Sequence, residues 1–291
     1  MNLLTFDIEE WYLNYQRSGP KEKYAEYDRY LDAILNKLDE RKLKATFFCV
    51  GEMGRLFPEV IKKIQQHGHE IGCHSNIHTW LNKMTDMECR EDTHCAVDSL
   101  EQCIGEKVKN YRAPAFSIGE KNKWAFEILA ENGIERDASV FPAARDFGGF
   151  PNFGQKTPCV VEYNGIRLKE FPVCTTQVMG KEMAYSGGGF FRFFPLGVVE
   201  KEMRKNPYSM CYFHIGDLVP ESSKVKTKEE YEAYYKEPGT LKARYVRYMK
   251  TNLGKKNAFS KMMRLIDDMD FVNLQQAEET IDWAAVSVVT L

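Results

Sequence analysis

The 291-residue chain has no apolar run near the roughly 20 residues that span a bilayer. Nothing at its start resembles a basic region, an apolar stretch and a small-residue cleavage site in succession. The first apolar run is only as long as a strand and is interrupted at Asp7. A cleaved secretion signal and a transmembrane segment are therefore not expected, and we expect a cytoplasmic protein. Eight cysteines, at positions 49, 73, 89, 95, 103, 159, 174 and 211, include no Cys-x-x-Cys pair and no regular framework. That excludes a disulfide scaffold and argues for reduced thiols. An excess of either charge is lacking too: 40 Lys and Arg against 42 Asp and Glu leave a net charge of -2. There is no electrostatic footprint for nucleic acid, and a neutral or small polar substrate fits best. Internal repeats, low-complexity segments and long polar linkers are also absent. With 43% hydrophobic residues to build a core, residues 1–291 are expected to form one large domain.

What the sequence does contain is an alternation of strand and helix patterns. β-rich runs at 1–6, 45–50, 69–73, 108–111 and near 134 alternate with helical spacing over 24–41, 58–67, 86–104 and 120–132. This order predicts an α/β fold built on a parallel sheet or barrel. Residues 11–23 read as an aromatic-polar loop. The pattern breaks over about 141–194, where Pro142, Pro151, Pro158, Pro172 and many glycines surround two extended runs, 160–163 and 167–171. Asn164-Gly165 between them predicts a hairpin. Regularity returns with a helix over 196–205, a strand over 210–214, a long basic helix over 241–269 and a last strand over 271–274.

The charged residues gather where strands end. Asp7 and Glu9 leave the tip of the first strand on the same side, and like charges so placed call for a cation or for separate roles. His74 and His78 leave another tip, on one face if that loop turns helically. Two imidazoles and a carboxylate suit zinc or a similar ion, with either Asp7 or Glu9 supplying the oxygen and one position open for water. Arg112 follows the fourth strand, where it can hold a carboxylate bidentately, and His214 ends a late one, where it can protonate a leaving group. His67, His69, His94 and the cysteines read as packing or surface residues. Gly187, Gly188 and Gly189 lack the setting of a dinucleotide loop and read as a turn or close approach beside a substrate groove. The basic stretch 242–261 reads as a solvated helix face.

These stretches, in this order, resemble the polysaccharide deacetylases of carbohydrate esterase family 4, the NodB-homology domain. Thr5-Phe6-Asp7-Ile8-Glu9 is similar to the first motif, His74 to His78 to the second, Arg112 to Phe116 to the third and Phe213-His214 to the last. The Gly-Gly-Gly-Phe-Phe-Arg segment ending at Arg192 resembles the branch associated with exopolysaccharide and capsule assembly. The resemblance implies a distorted (β/α)7 barrel with an irregular hairpin-containing insertion at about 141–194 and a C-terminal helix-strand extension at about 240–291. It implies that Glu9, His74 and His78 hold one divalent ion, zinc first, with cobalt, nickel or iron as alternatives. Asp7 would be the base, oriented by Arg112, and His214 the acid. The Ala115 backbone N–H would serve the oxyanion, and Phe116, Trp11 and Arg192 would line the substrate groove. The implied reaction is hydrolysis of the N-acetyl group of a free, polymeric or carrier-linked N-acetylated sugar during surface polysaccharide assembly. Two departures stand out. Glu9 replaces the usual Asp, and Val140 falls where many relatives carry an Asp that tunes the acid histidine, so the partner of His214 is unassigned, with Asp137 a weak candidate. The alternatives are hydrolysis of another C–N amide such as a cyclic ureide, with or without metal, and a non-catalytic carbohydrate-binding relative.

Overall fold

The apolar residues of the first strand do not alternate. Apart from Asp7 at the tip, Leu3, Leu4, Phe6 and Ile8 leave neither face charged, and every residue from Leu3 to Ile8 is buried. Such a run needs a strand on each side and cover on both faces, the situation of a parallel α/β sheet. The computed structural model describes residues 1–17, 19, 21–145, 147–178, 180–219, 224–235 and 237–291. In chain order the elements are β1 (Asn2–Ile8), α1 (Glu10–Gln16), α2 (Glu22–Glu40), β2 (Thr46–Cys49), α3 (Gly51–Leu56), α4 (Pro58–Gln66), β3 (Glu70–Cys73), α5 (Asp86–Ile104), β4 (Asn110–Tyr111), α6 (Trp124–Glu131) and β5 (Arg136–Asp137). There follow β6 (Cys159–Tyr163), β7 (Ile166–Glu170), β8 (Thr175–Val178), β9 (Lys181–Ala184), α7 (Gly188–Phe193), α8 (Leu196–Lys205), β10 (Ser209–His214) and α9 (Ile215–Leu218). The chain ends with α10 (Lys228–Tyr235), α11 (Leu241–Asn252), α12 (Ala258–Asp268), α13 (Leu274–Thr280) and β11 (Val288–Thr290).

Among the described residues, β10-β1-β2-β3-β4-β5-β7 form seven parallel strands in that order, so their C-terminal tips open on one side. β6 returns antiparallel to β7, and β11 adds outside it. The sheet curls. Arg112, just past β4, reaches Asp7 and Thr5 on β1 and Met210 on β10, contacts a flat sheet would forbid. Closure between β7 and β10 uses single contacts rather than a ladder: Tyr208 Oη donates to Pro172 O at 2.8 Å, Ser186 Oγ to Met210 O at 2.6 Å, and Gly187 bridges Tyr212. The predicted seven-stranded, distorted α/β barrel is what the chain forms.

The predicted hairpin is β6–β7, with Asn164 and Gly165 both at positive φ as its two-residue turn requires. All eight cysteines are free. Three readings need correction. Residues 11–23 are not simply a loop, since α1 occupies Glu10–Gln16 with Trp11 and Tyr12 buried, Trp11 packed on Tyr27 of α2. The long basic helix over 241–269 is broken at Leu253-Gly254 into α11 and α12, because Gly254 turns at φ 73 against Arg192. No strand forms over 271–274: only Val272 pairs, with Leu3, and Asn273 then caps α13 through a reciprocal bond with Gln276. The last strand is β11 instead.

Candidate active site

β1 and β10 run in register, with Asp7 beside His214, so two of the expected chemical groups share one edge of the mouth. Asp7 Oδ1 accepts from Arg112 Nη1 at 2.8 Å, and the same nitrogen donates to Thr5 Oγ1 at 2.9 Å. The guanidinium is fully buried and lies over the Phe48 ring at 4.2 Å. Arg112 therefore fixes one carboxylate oxygen and leaves Asp7 Oδ2 facing His214 Nε2 at 3.5 Å.

Glu9 follows the end of β1 and caps the start of α1. Its Oε2 lies 2.6 Å from His78 Nε2 and 3.4 Å from His74 Nε2. The 74–78 loop does not turn helically, as the spacing suggested. Ser75 and His78 take left-handed φ values of 57 and 60, and this brings the rings to 5.3 Å. Asp92 on α5 accepts from the Asn76 N–H at 2.8 Å and holds the loop down. His74 Nδ1 donates to Arg112 O at 2.7 Å, which leaves Nε2 with its lone pair toward Glu9. Glu9, His74 and His78 thus offer three ligand atoms within 4.8 Å of one another. Glu9 Oε2 is buried and makes no aligned hydrogen bond among the described residues. A buried oxygen and two imidazole nitrogens converging on one point fit a divalent cation. Burial opposes ionisation of Glu9, yet the charges of the neighbouring His78 and His214 and the closeness of the His74 and His78 rings hold its carboxyl well below the usual range.

The partner of His214 is Asp217, one turn on at the start of α9, whose Oδ2 lies 3.1 Å from Nδ1. Burial works against the His214 cation, but the charge of Glu9 and the bond to Asp217, helped by Asp7, push the imidazole up to about 10. Arg192 ion-pairs with Asp217 at 2.9 Å and donates to Thr251 O and Lys250 O at 2.8 and 3.1 Å. Its side chain is thus committed to Asp217 and α11 and is not a groove residue. Trp11 and Phe116 are buried as well, packed on Tyr27 and on Phe141 and Tyr212, so neither lines an open groove. Asp137 is not the partner of His214; it is buried beneath the mouth with Glu170. Glu10, at the start of α1, is also buried and accepts from Gly216 N.

Ala115 and Phe116 both take left-handed φ, 56 and 53, an arrangement of non-glycine residues that costs about 1–3 kcal/mol each and concentrates at functional sites. Beside this loop opens a cavity of about 320 Å³ lined by Trp80, Asn82, Ser117, Arg145 and Phe147 among others. Trp80 and Phe147 are its aromatic walls, with ring centroids 4.9 Å apart. Gly187 is a close approach, since a Cβ there would lie 2.2 Å from the Tyr212 ring.

Residues 3–136 match the polysaccharide deacetylase family, and residues 138–279 match a family described as a domain of unknown function, DUF3473. A Bacillus cereus peptidoglycan-N-acetylglucosamine deacetylase is 38% identical over 95 residues, 32% of this chain and 34% of that protein. The uncharacterized Bacillus subtilis protein YlxY is 36% identical over 104 residues, 36% of this chain and 32% of that protein. The chain spans about a third of the length of these curated relatives. A solved Mycobacterium smegmatis structure grouped with the polysaccharide deacetylases covers 100% of this chain and 92% of its own, with TM-score 0.62 and 18% identity, and so shares the fold. No helix among the described residues is long and apolar enough to cross a membrane.

Proposed function

We propose, from the premise that residues 3–136 of this chain belong to the polysaccharide deacetylase family, that it hydrolyses the N-acetyl group of an N-acetylated sugar with the help of a divalent metal ion. The observation that carries the reading is the placement of Asp7 between Arg112 and His214, beside the converging donors of Glu9, His74 and His78. A cation held there would act as a Lewis acid and make a water more acidic, with zinc the first candidate for this donor set. Asp7, held by Arg112 at one oxygen, takes a proton from the attacking water with the other. The water oxygen adds to the acetyl carbonyl, and the Ala115 backbone N–H faces the oxyanion that forms. His214, kept protonated by Asp217, gives its proton to the departing nitrogen as the C–N bond breaks. Acetate and a free amine result. Trp80 and Phe147 supply the apolar faces on which a sugar ring packs. The likeness of the segment ending at Arg192 to the exopolysaccharide branch supports a surface polysaccharide under assembly as the source of that sugar.

The test separates base from ligand. Asp7→Ala should abolish acetate release from N-acetylated sugars while retaining bound metal, whereas Glu9→Ala should lose metal and activity together. Metal content and acetate are measured on the same samples. Full metal occupancy in Glu9→Ala, or full activity in Asp7→Ala, would refute this assignment.

A further inference from the structure

The helix α11 (Leu241–Asn252) buries none of its residues fully, and the face it turns to solvent is its apolar one. Leu241, Tyr245, Val246 and Met249, with Leu253 at the C-terminal cap, are between 44 and 62% exposed. At about 100° per residue they share one stripe, about 140° wide. The polar residues face inward. Arg244, Arg247, Tyr248 and Thr251 line a cavity of about 220 Å³ against Tyr231, Tyr234 and Tyr235 of α10. Arg244 Nη1 donates to Lys226 O at 3.1 Å, Arg247 lies over the Phe147 ring at 4.5 Å, and Arg192 donates to Lys250 O and Thr251 O. These contacts fix the rotation of α11. An ordinary surface helix buries its apolar stripe and shows its charges to water, and α11 does the reverse. Single exposed apolar side chains are common, but five along one stripe mark a surface that something covers.

The charge around that stripe is of one sign. From Pro238 to Ile266 the sequence holds eight Lys or Arg and no Asp or Glu. The charged side chains exposed in this stretch are Lys242, Lys250, Lys256 and Arg264. Lys242 lies within the stripe, Lys250 at its edge and Lys256 just past Leu253, where a lysine stem runs along apolar surface and its amine reaches out beyond it. A surface potential acts on every exposed charge within a Debye length, whether or not that charge also has a neighbour in the protein.

We infer that α11 docks this protein on an anionic lipid bilayer, its apolar stripe seated at the boundary of headgroups and acyl chains and Lys242, Lys250 and Lys256 level with the phosphates. With 12 residues, about 18 Å long at 1.5 Å per residue, the helix lies on the bilayer and does not span it. A bilayer supplies both partners this face calls for, an apolar interior under a negatively charged surface. A second copy of this chain does not, because a two-fold contact would set these lysines against their own counterparts. The docked helix is close to the mouth of the barrel: Arg192, bonded to its last turn, ion-pairs with Asp217, the partner of His214.

The experiment sediments the full chain with vesicles of phosphatidylcholine alone and of phosphatidylcholine containing about a quarter phosphatidylglycerol. The partition coefficient should be at least about tenfold higher on the anionic vesicles. It should fall about tenfold in Lys242→Gln/Lys256→Gln and by about as much in Leu241→Gln/Met249→Gln. All four side chains are exposed, so the fold is retained, which unchanged thermal unfolding checks. No binding to anionic vesicles, equal binding to neutral ones, or binding indifferent to either double variant would each overturn the docking face. Without lipid, light scattering should give the parent and Leu241→Gln/Met249→Gln the same mass. A heavier parent would assign the face to a second copy and overturn the bilayer. Vesicle binding needs no turnover, so a failed acetate assay would sink the deacetylase reading and leave the docking face standing.

Discussion

His214 Nδ1 and Asp217 Oδ2 are joined at 3.1 Å, and Arg192 holds the far side of the same carboxylate. A half-buried imidazolium between Asp217 and Asp7 is a proton donor that survives well above neutral pH, even though desolvation alone would discharge it. Its acid form, and with it the activity, should be lost as pH rises through the raised imidazole range, which lies below about 10 once a cation engages Glu9. When Glu9 is engaged by a cation, its share of that elevation falls away and Asp217 carries more of it. Asp217→Asn removes the charge but keeps an acceptor. Its pH–rate profile should therefore lose activity at a pH about one unit or more lower than the parent, with kcat at pH 8 reduced. An unchanged alkaline limb would mean that Asp217 only packs.

At the scale of elements, the left-handed 74–78 loop owes its shape to α5. Thr85 and Glu88 cap that helix reciprocally, so Asp92 is presented at a fixed height below the loop and accepts from the Asn76 N–H at 2.8 Å. The bonds of Gly51 N to Ser75 O and of Glu52 N to Asn76 O tie the same loop to the start of α3. Asp92→Ala removes the acceptor without touching a metal donor. Zinc titration should then give an affinity about 10- to 100-fold weaker, the usual effect of losing a support beneath the ligands, while the far-ultraviolet dichroism stays unchanged. An unaltered zinc affinity would show that α3 alone holds the loop.

Across the whole molecule, Asp137 on β5 and Glu170 on β7 face each other at one register position beneath the mouth, both buried, where the two family matches abut. Ser139 Oγ donates to Asp137 at 2.5 Å, and Val140 N to Glu170 at 3.1 Å. Burial first, and then the charge of Asp137, raise the Glu170 carboxyl well above its usual range. A carboxyl raised in the folded state binds its proton more tightly there than in the unfolded chain. Its contribution to stability is therefore present in acid and lost as pH rises from about 4.3 toward the raised value. Glu170→Gln keeps the acceptor for Val140 and removes that loss. Urea unfolding should show the variant more stable than the parent by more than about 1 kcal/mol at pH 8, with the advantage shrinking at pH 4.5. Equal stability at both pH values would contradict the raised Glu170 carboxyl.

The sequence by itself determined the strand-helix alternation, the Asn164-Gly165 hairpin and the residue types at the strand tips, because each is a local matter. Buried parallel strands must be apolar on both faces, and a charge can appear only where the strand ends. Spacing singled out His74 and His78 with either Asp7 or Glu9 at a strand end, and it was the resemblance to the deacetylases that implied Glu9. Only the tertiary structure decided which groups meet across the curl of the sheet. Asp217 was readable in principle, three residues after His214, but its role depends on Arg192 arriving from α7, and no spacing within one segment encodes that. Trp11 and Phe116 look like groove aromatics in a loop-rich sequence, and the helical turn of α1 and the left-handed pair at Ala115 and Phe116 bury them. A fold also brings distant charges together, as it does Arg17 with Lys226, Arg244 and Arg247 around one cavity, while the sequence records only their order.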